Sequence, residues 1–236
     1  MDGATILRGI DFTLENDHNL VVIGRSGSGK TMLIKTIMGF YNPSSGSVVV
    51  DDIDVYDSDP SEPGTGNRFA MVFQNAALLD SFTVYQNVAL PLYYSGNHSE
   101  RIGSGSGDTS ERILQALEVV GLPDCGAKYP AELSGGMRKR VGIARALVSE
   151  PNYIIFDEPL SGLDPITAKE VLYYITQVIN TQAVTAITIT HDMRDLGNIG
   201  DRALFLESGS QVFYGDIPAL YASHEPLIRQ FVGNRT

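Results

Sequence analysis

The sequence predicts an α/β fold, and three observations carry that prediction. An apolar run, Leu20-Val21-Val22-Ile23, leads straight into a glycine-rich loop over residues 24–31. A helix-like stretch, TMLIKTIMGF over 31–40, follows the loop at once. Strand-like apolar runs then recur at 47–50, 153–156 and 186–190.

Taken in order, residues 20–23 are short and wholly apolar, as a strand buried on both faces requires. Helix 31–40 and strand 47–50 complete an alternation of β and α in the first eighty residues. Residues 95–110, SGNHSERIGSGSGDTS, are polar and rich in Gly and Ser and read as a mobile surface loop. Their Asn97-His98-Ser99 triplet reads as a chance match to a glycosylation site. ERILQALEVVG, 111–121, has helical spacing with Gly121 set to end it, so the middle of the chain, 76–150, reads as largely helical. Strands return at Tyr153–Phe156 and 186–190, and Asp164-Pro165 opens a helix reaching about Asn180. RALFLESGSQVFYG, 202–215, is a hairpin turning at Ser208-Gly209-Ser210.

Composition narrows the class. The 236 residues suffice for a sizeable core, and 43% apolar with 19% charged residues is ordinary for a globular protein. A net charge of −11 argues against nucleic acid as a general partner, because phosphate neutralisation needs excess Lys and Arg. The lone Cys125 cannot close an internal disulfide, which suits a reducing compartment. No apolar run approaches the roughly 20 residues of a membrane span, and MDGATILRGI lacks an export signal. Any membrane role is therefore expected through a partner.

Gly24-Arg25-Ser26-Gly27-Ser28-Gly29-Lys30-Thr31 matches G-x-x-x-x-G-K-[ST] in full, with a strand before and a helix after. The glycines let main-chain N–H groups converge on phosphate oxygens, and the helix start adds partial positive charge. Lys30 then pairs with the β- and γ-phosphates, and the Thr31 hydroxyl ligates Mg²⁺. Four apolar residues ending in Asp157-Glu158 supply the carboxylates such a site needs. Asp157 suits the metal through its water shell, and Glu158 suits a general base for an attacking water. His191 follows a strand directly; it is either structural or, on the ligand-binding edge of an α/β sheet, a donor to the γ-phosphate. A second glycine stretch, Leu133-Ser134-Gly135-Gly136-Met137, precedes a helix expected over about 137–148 and forms a second anion-binding helix start. The Arg138-Lys139-Arg140 run behind it reads as a solvated helix face.

Together these features resemble the ATP-binding cassette (ABC) ATPases, over nearly the whole chain and in the family's order. The resemblance identifies residues 24–31 as Walker A and 153–158 as Walker B. It makes Gln74, in MVFQN, the Q-loop residue, and 133–137 the signature motif. Ser161-Gly162-Leu163-Asp164 becomes the D-loop and His191 the switch histidine. It implies a P-loop NTPase (RecA-like) core over 1–75 and 151–236, an inserted helical signature subdomain over 76–150, and a small antiparallel β part, all in one ABC ATPase domain. Gln74 is then a catalytic and Mg²⁺-binding residue at the hinge into the helical part. The chain is expected to bind ATP and Mg²⁺ and to pair head to tail with a second copy, so that each signature completes the partner's site. Asp164 communicates across that interface. The adjacent stretch Ala77–Tyr94 either lines the groove that receives a membrane subunit or belongs to the core.

Within the family, FQNAALLDSFTVYQNVALPL, LSGGMRKRVGIARAL, DEPLSGLDPIT and PLIRQFVGN look closest to the ATPase of Mla/MCE-type lipid transporters. That likeness implies phospholipid transport on the cytoplasmic face of the inner membrane, with integral permease subunits and an MCE-domain lipid-binding protein as partners. Amino-acid importers share much of this text and are the alternative. A soluble non-transport ABC ATPase and a regulator that no longer hydrolyses ATP are further ones. The chain departs from the family pattern at its start, where no Phe or Tyr precedes Ile6 to stack on adenine, and after Thr236, where the family's C-terminal extension is largely missing.

Overall fold

In the computed structural model the described residues are 5–16, 18–57, 69–94, 107–192 and 196–233. In chain order the elements are β1 (Leu20–Ile23), α1 (Lys30–Ile37), β2 (Val49–Val50), β3 (Ile53–Asp54), β4 (Phe69–Val72), α2 (Val84–Tyr94), α3 (Gly107–Val119) and α4 (Gly135–Leu147). They continue with β5 (Tyr153–Asp157), α5 (Pro165–Thr181), β6 (Thr185–Thr190), α6 (Leu196–Ile199), β7 (Arg202–Glu207), β8 (Ser210–Asp216), α7 (Ile217–Ala222) and α8 (Pro226–Val232). The chain divides into two units, residues 1–65 with 186–236, and 66–185.

In the first unit β1 is central: all four residues are fully buried, and it pairs in parallel with β6 on one side and β7 on the other. Asn19 aligns the beginnings of these strands. Its Oδ1 accepts from the Ala186 amide (2.8 Å), and its carbonyl accepts from the Asp201 and Arg202 amides (2.9 and 3.0 Å). The register that follows sets Ile23 opposite Thr190 and Phe205, so the residues after these strands emerge along one edge. β8 returns antiparallel to β7 through the Ser208-Gly209 turn, as the hairpin expectation had it. The two-residue strands β2 and β3 form the small antiparallel pair. Residues 47–48 fall outside β2, and Val49 stays exposed.

Helix α1 begins at Lys30 and stops at Ile37, three residues short of the expectation. Gly39 at φ +80° lets the chain reverse there, and the Phe40 amide bonds back to the Lys35 carbonyl at 2.8 Å. Phe40, counted into the helix from sequence, is left exposed.

In the second unit β4 and β5 pair in parallel, and α2, α3, α4 and α5 supply the helical part. α3 begins at Gly107, inside the stretch read as loop. The Tyr85 hydroxyl meets the Ser110 Oγ at 2.9 Å and pins that polar first turn to α2. Residues 95–106, with the Asn97-His98-Ser99 triplet, lie outside the described residues. α3 ends where Gly121, at φ +67°, takes the left-handed conformation; a Cβ there would lie 2.1 Å from the Tyr174 hydroxyl. Within Ala77–Tyr94 the alternatives divide by residue. Val84, Val88 and Ala89 are core, while Leu79 is exposed. The buried Asn87 amide is fully used, accepting from the Leu79 amide and donating to the carbonyls of Leu79, Phe82 and Thr83.

One expectation fails in this unit. The Arg138-Lys139-Arg140 run is solvated only at Arg138, since Lys139 and Arg140 are each only 7% exposed. Arg140 donates to the Val120 carbonyl at 3.0 Å, pairs with Glu170 at 3.0 Å and lies over the Tyr174 ring at 4.9 Å. Consecutive helical residues diverge by about 100°, so neighbouring cations can turn to different packed surfaces, each finding carbonyls. Arg140→Ala is expected to lower the stability by about 2–3 kcal/mol, read from the denaturant midpoint, because several buried bonds and a cation–π contact go together.

Candidate functional site

Residues 24–31 occupy the turn between β1 and α1 in the first unit. Their glycines are required by geometry. Gly24, Gly27 and Gly29 have φ of +151°, +80° and +100°, and a Cβ on Gly24 would lie 2.2 Å from the Leu206 carbonyl oxygen. The β7–β8 turn braces the loop, as the Gly209 amide donates to the Ser28 carbonyl at 3.1 Å. The N-terminal segment crosses the same turn, where Arg8 bridges Ser210 and its amide donates to the Gly209 carbonyl at 2.7 Å.

Three observations fit this loop to a phosphate. The cap residue of α1, Gly29, provides no side-chain cap, and the first turn of the helix carries no acid. The Lys30 ammonium is buried and folds over the loop, donating to the carbonyls of Gly24 (2.7 Å) and Arg25 (3.0 Å). The buried Ser28 Oγ has no hydrogen-bond partner. Such a hydroxyl costs free energy unless a ligand oxygen or water satisfies it. Thr31 and Ser26 are exposed, and the Arg25 guanidinium reaches the Gln230 side chain of α8 at 3.3 Å. His191 follows Thr190, whose register partner Ile23 immediately precedes Gly24, so the histidine and the loop leave adjacent strands at the same level. His191 is exposed there.

The other nominated residues belong to the second unit. Asp157 ends β5, half-buried, and Glu158 turns left-handed at φ +47°. The Glu158 carbonyl is held by the Ser161 amide (3.1 Å), the Ser161 hydroxyl (2.8 Å) and the Lys139 ammonium (3.3 Å). Gln74 is exposed just after β4, and its carbonyl accepts from the same ammonium at 2.5 Å. Burial pushes the Lys139 pKa down, while the charges of Glu158 and Asp157 pull it back up.

Ser134 caps α4 by accepting from the Met137 amide at 3.2 Å, so Gly135 and Gly136 form the first turn itself and the helix starts two residues before the sequence expectation. Leu133 is buried. Gly136 is fixed by contact, because a Cβ there would lie 2.4 Å from the Thr167 Cγ2. Thr167 in turn donates to Asp164 at 2.5 Å, and Asp164 caps α5 by accepting from the Ile166 and Thr167 amides. That hydroxyl, followed by the amides, holds the Asp164 carboxyl below its usual range. The structure thus joins the 133–137 stretch to Asp164, which sequence spacing could not show. Also missed from sequence were Lys139 and Arg145. The spacing of Lys139, Gly142 and Arg145 on one helical face was the available signal.

Thr31 in the first unit, and Gln74 and Asp157 in the second, each carry a hard oxygen donor of the kind Mg²⁺ takes alongside phosphate oxygens. Their chemistry fits that ion.

Comparison with known proteins bears on the whole arrangement. The ABC transporter family matches residues 7–161, which is most of the chain. The chain belongs to the ABC transporter family. Its α/β fold, with parallel strands, an antiparallel β8 and a helical part, agrees with that assignment. The dimer of the ATP-binding cassette MJ0796 bound to ADP and Pi has a TM-score of 0.74 at 28% identity, covering 90% of each chain. CbiO1 from Clostridium perfringens, part of the ABC transporter complex cbiONQ, has a TM-score of 0.80 at 26% identity, covering 98% of this chain and 89% of that one.

Among curated ABC relatives, the methionine import ATP-binding protein MetN of Carboxydothermus hydrogenoformans is 37% identical over 213 residues, 89% of this chain and 61% of the relative. MetN 1 of Rhodopseudomonas palustris is 40% identical over 230 residues, 96% of this chain and 60% of the relative. The chain therefore spans about 60% of the length of the curated relatives it matches. These relatives overturn the lipid-transport expectation, and they lend no support to the likeness to Mla/MCE-type ATPases or to the MCE-domain partner. Three of the four phrases behind that expectation contain the nucleotide motifs, whose chemistry importers share, so they carried little information about cargo.

Proposed function

We propose that this chain is the ATP-hydrolysing subunit of an importer for an amino acid or a similar small solute, with methionine the first candidate. The observation that carries the reading is the identity of 36–40%, over 89–98% of the chain, to methionine import ATP-binding proteins. No described helix is long and apolar enough to cross a membrane. The reading therefore includes integral permease subunits as partners at the cytoplasmic face, a second copy of this chain, and a substrate-binding protein that delivers the solute.

The roles follow from the residue chemistry. Main-chain N–H groups of residues 24–31 and the Lys30 ammonium bind the β- and γ-phosphates of ATP. Thr31, Gln74 and Asp157 would hold Mg²⁺, which when bound neutralises phosphate charge. The Glu158 carboxylate takes a proton from the attacking water as its oxygen bonds to the γ-phosphorus. The bond to the bridging oxygen breaks, giving ADP and inorganic phosphate. His191 donates to a γ-phosphate oxygen. Ser134, Gly135 and Gly136, at a capped helix start, engage the γ-phosphate bound by the partner copy, and Asp164, tied to Gly136 through Thr167, carries that contact into α5. The 1–75 and 151–236 segments form the catalytic core in this reading, with 76–150 as the signature part.

The test is phosphate release from Mg-ATP by the transporter purified with its membrane partner. Turnover is expected to rise when methionine-loaded binding protein is added and to vanish in Lys30→Ala. Turnover indifferent to the solute, or unchanged by Lys30→Ala, would remove the reading.

A further inference from the structure

The face of α4 carrying Lys139, Gly142 and Arg145 grips the main chain just after β4 at successive points. Lys139 Nζ donates to the Gln74 carbonyl at 2.5 Å. Gly142 lets Ala76 approach until an added Cβ would lie 3.3 Å from the Ala76 methyl. The Arg145 guanidinium donates to the carbonyls of Ala76 (2.5 Å) and Ala77 (2.7 Å). The gripped segment is strained in a way the helix compensates, since Ala76 and Ala77 are both left-handed, at φ +56° and +46°. Lys139 alone also reaches a second segment, the Glu158 carbonyl at 3.3 Å, where φ is again positive.

We propose that Lys139 is a positioning residue that ties the main chain at Gln74 and at Glu158 to the signature helix, so that the nucleotide-contacting amide, the general base and α4 are held as one piece. The proposal rests on the ATPase reading given above. A buried ammonium has three donors and no other group on this face contacts both carbonyls among the described residues. Without it, each carbonyl loses a charge-assisted bond, and each left-handed turn loses a restraint. Misplacing a catalytic group by about 1 Å can cost about 100-fold in rate without touching substrate affinity. The expected signature is therefore a loss in kcat with KM preserved.

Lys139→Met removes the donors but keeps the stem, and Lys139→Gln restores one amide donor. Phosphate release by the complete transporter and hydrogen exchange of the chain are measured for both, with wild type alongside. Lys139→Met is expected to lower kcat at least tenfold with KM for ATP within about twofold, and Lys139→Gln to recover a substantial part. Exchange at the Ala76 and Ser161 amides should accelerate together, at least tenfold, while α4 amides stay protected. Unchanged kcat in Lys139→Met would overturn the proposal, as would a loss that tracks global unfolding and is equal in both variants. If wild type releases no phosphate, the ATPase reading fails by itself. Exchange then still decides, because unlinked or unaltered exchange at Ala76 and Ser161 removes the tie.

Discussion

Glu158→Gln is expected to lower phosphate release at least about 100-fold while leaving ATP affinity within a few-fold of wild type, because proton abstraction contributes about 10²–10⁴ to such reactions. The substitution keeps the side chain's shape and removes only its basicity. Its main chain is fixed independently, with the Glu158 carbonyl held by Ser161 and Lys139 and the residue set left-handed immediately after β5. The amide should therefore occupy the same position and do nothing there. A variant that binds ATP and cannot turn it over should accumulate as an ATP-bound pair of chains. Single-turnover phosphate release and nucleotide affinity separate the two effects. Loss of affinity without loss of turnover would show that Glu158 binds rather than abstracts.

Ser134→Arg is expected to reduce turnover by the assembled transporter to a comparable degree, and to leave ATP binding by the isolated chain unchanged. Ser134 accepts from the Met137 amide and is exposed, while Gly136 behind it is buried against Thr167. In the proposed reading, an exposed cap ahead of an obligatory glycine offers helix N–H groups to an anion that the partner copy brings. Arginine there fills the approach and removes the cap. Ser134→Ala serves as the control, since it loses only the cap, worth about 1 kcal/mol. Turnover falling as far in Ser134→Ala as in Ser134→Arg would mean that cap stability, rather than access, is at stake.

Features that rest on local chemistry are legible in the sequence. The glycines of 24–31, the Asp164-Pro165 helix start and the Ser208-Gly209 turn each follow from what one or two residues can do with their own main chain. Boundaries are less legible where a distant contact decides them. The first turn of α3 is held by Tyr85, 25 residues earlier, and its polar composition reads as loop. The burial of Lys139 and Arg140 is illegible for the same reason, because their carbonyl partners lie 65 and 20 residues away in the chain. Within the site, sequence nominates Gln74, Glu158, the 133–137 stretch and Asp164 separately. The cation joining Gln74 to Glu158, and the Gly136–Thr167–Asp164 contact, need the fold. Cargo is misread for another cause: the nucleotide-binding motifs answer to phosphate chemistry, which is indifferent to what the transporter carries.

The central claim is that the 133–137 stretch completes a nucleotide site in another copy of the chain. The most direct test is the solution mass of the Glu158→Gln chain with ATP, compared with the same chain also carrying Ser134→Arg. Twice the chain mass for the single variant with ATP, and a single chain mass for the double variant at equal ATP occupancy, is the predicted result. An ATP-dependent pair that persists in the double variant would contradict the claim.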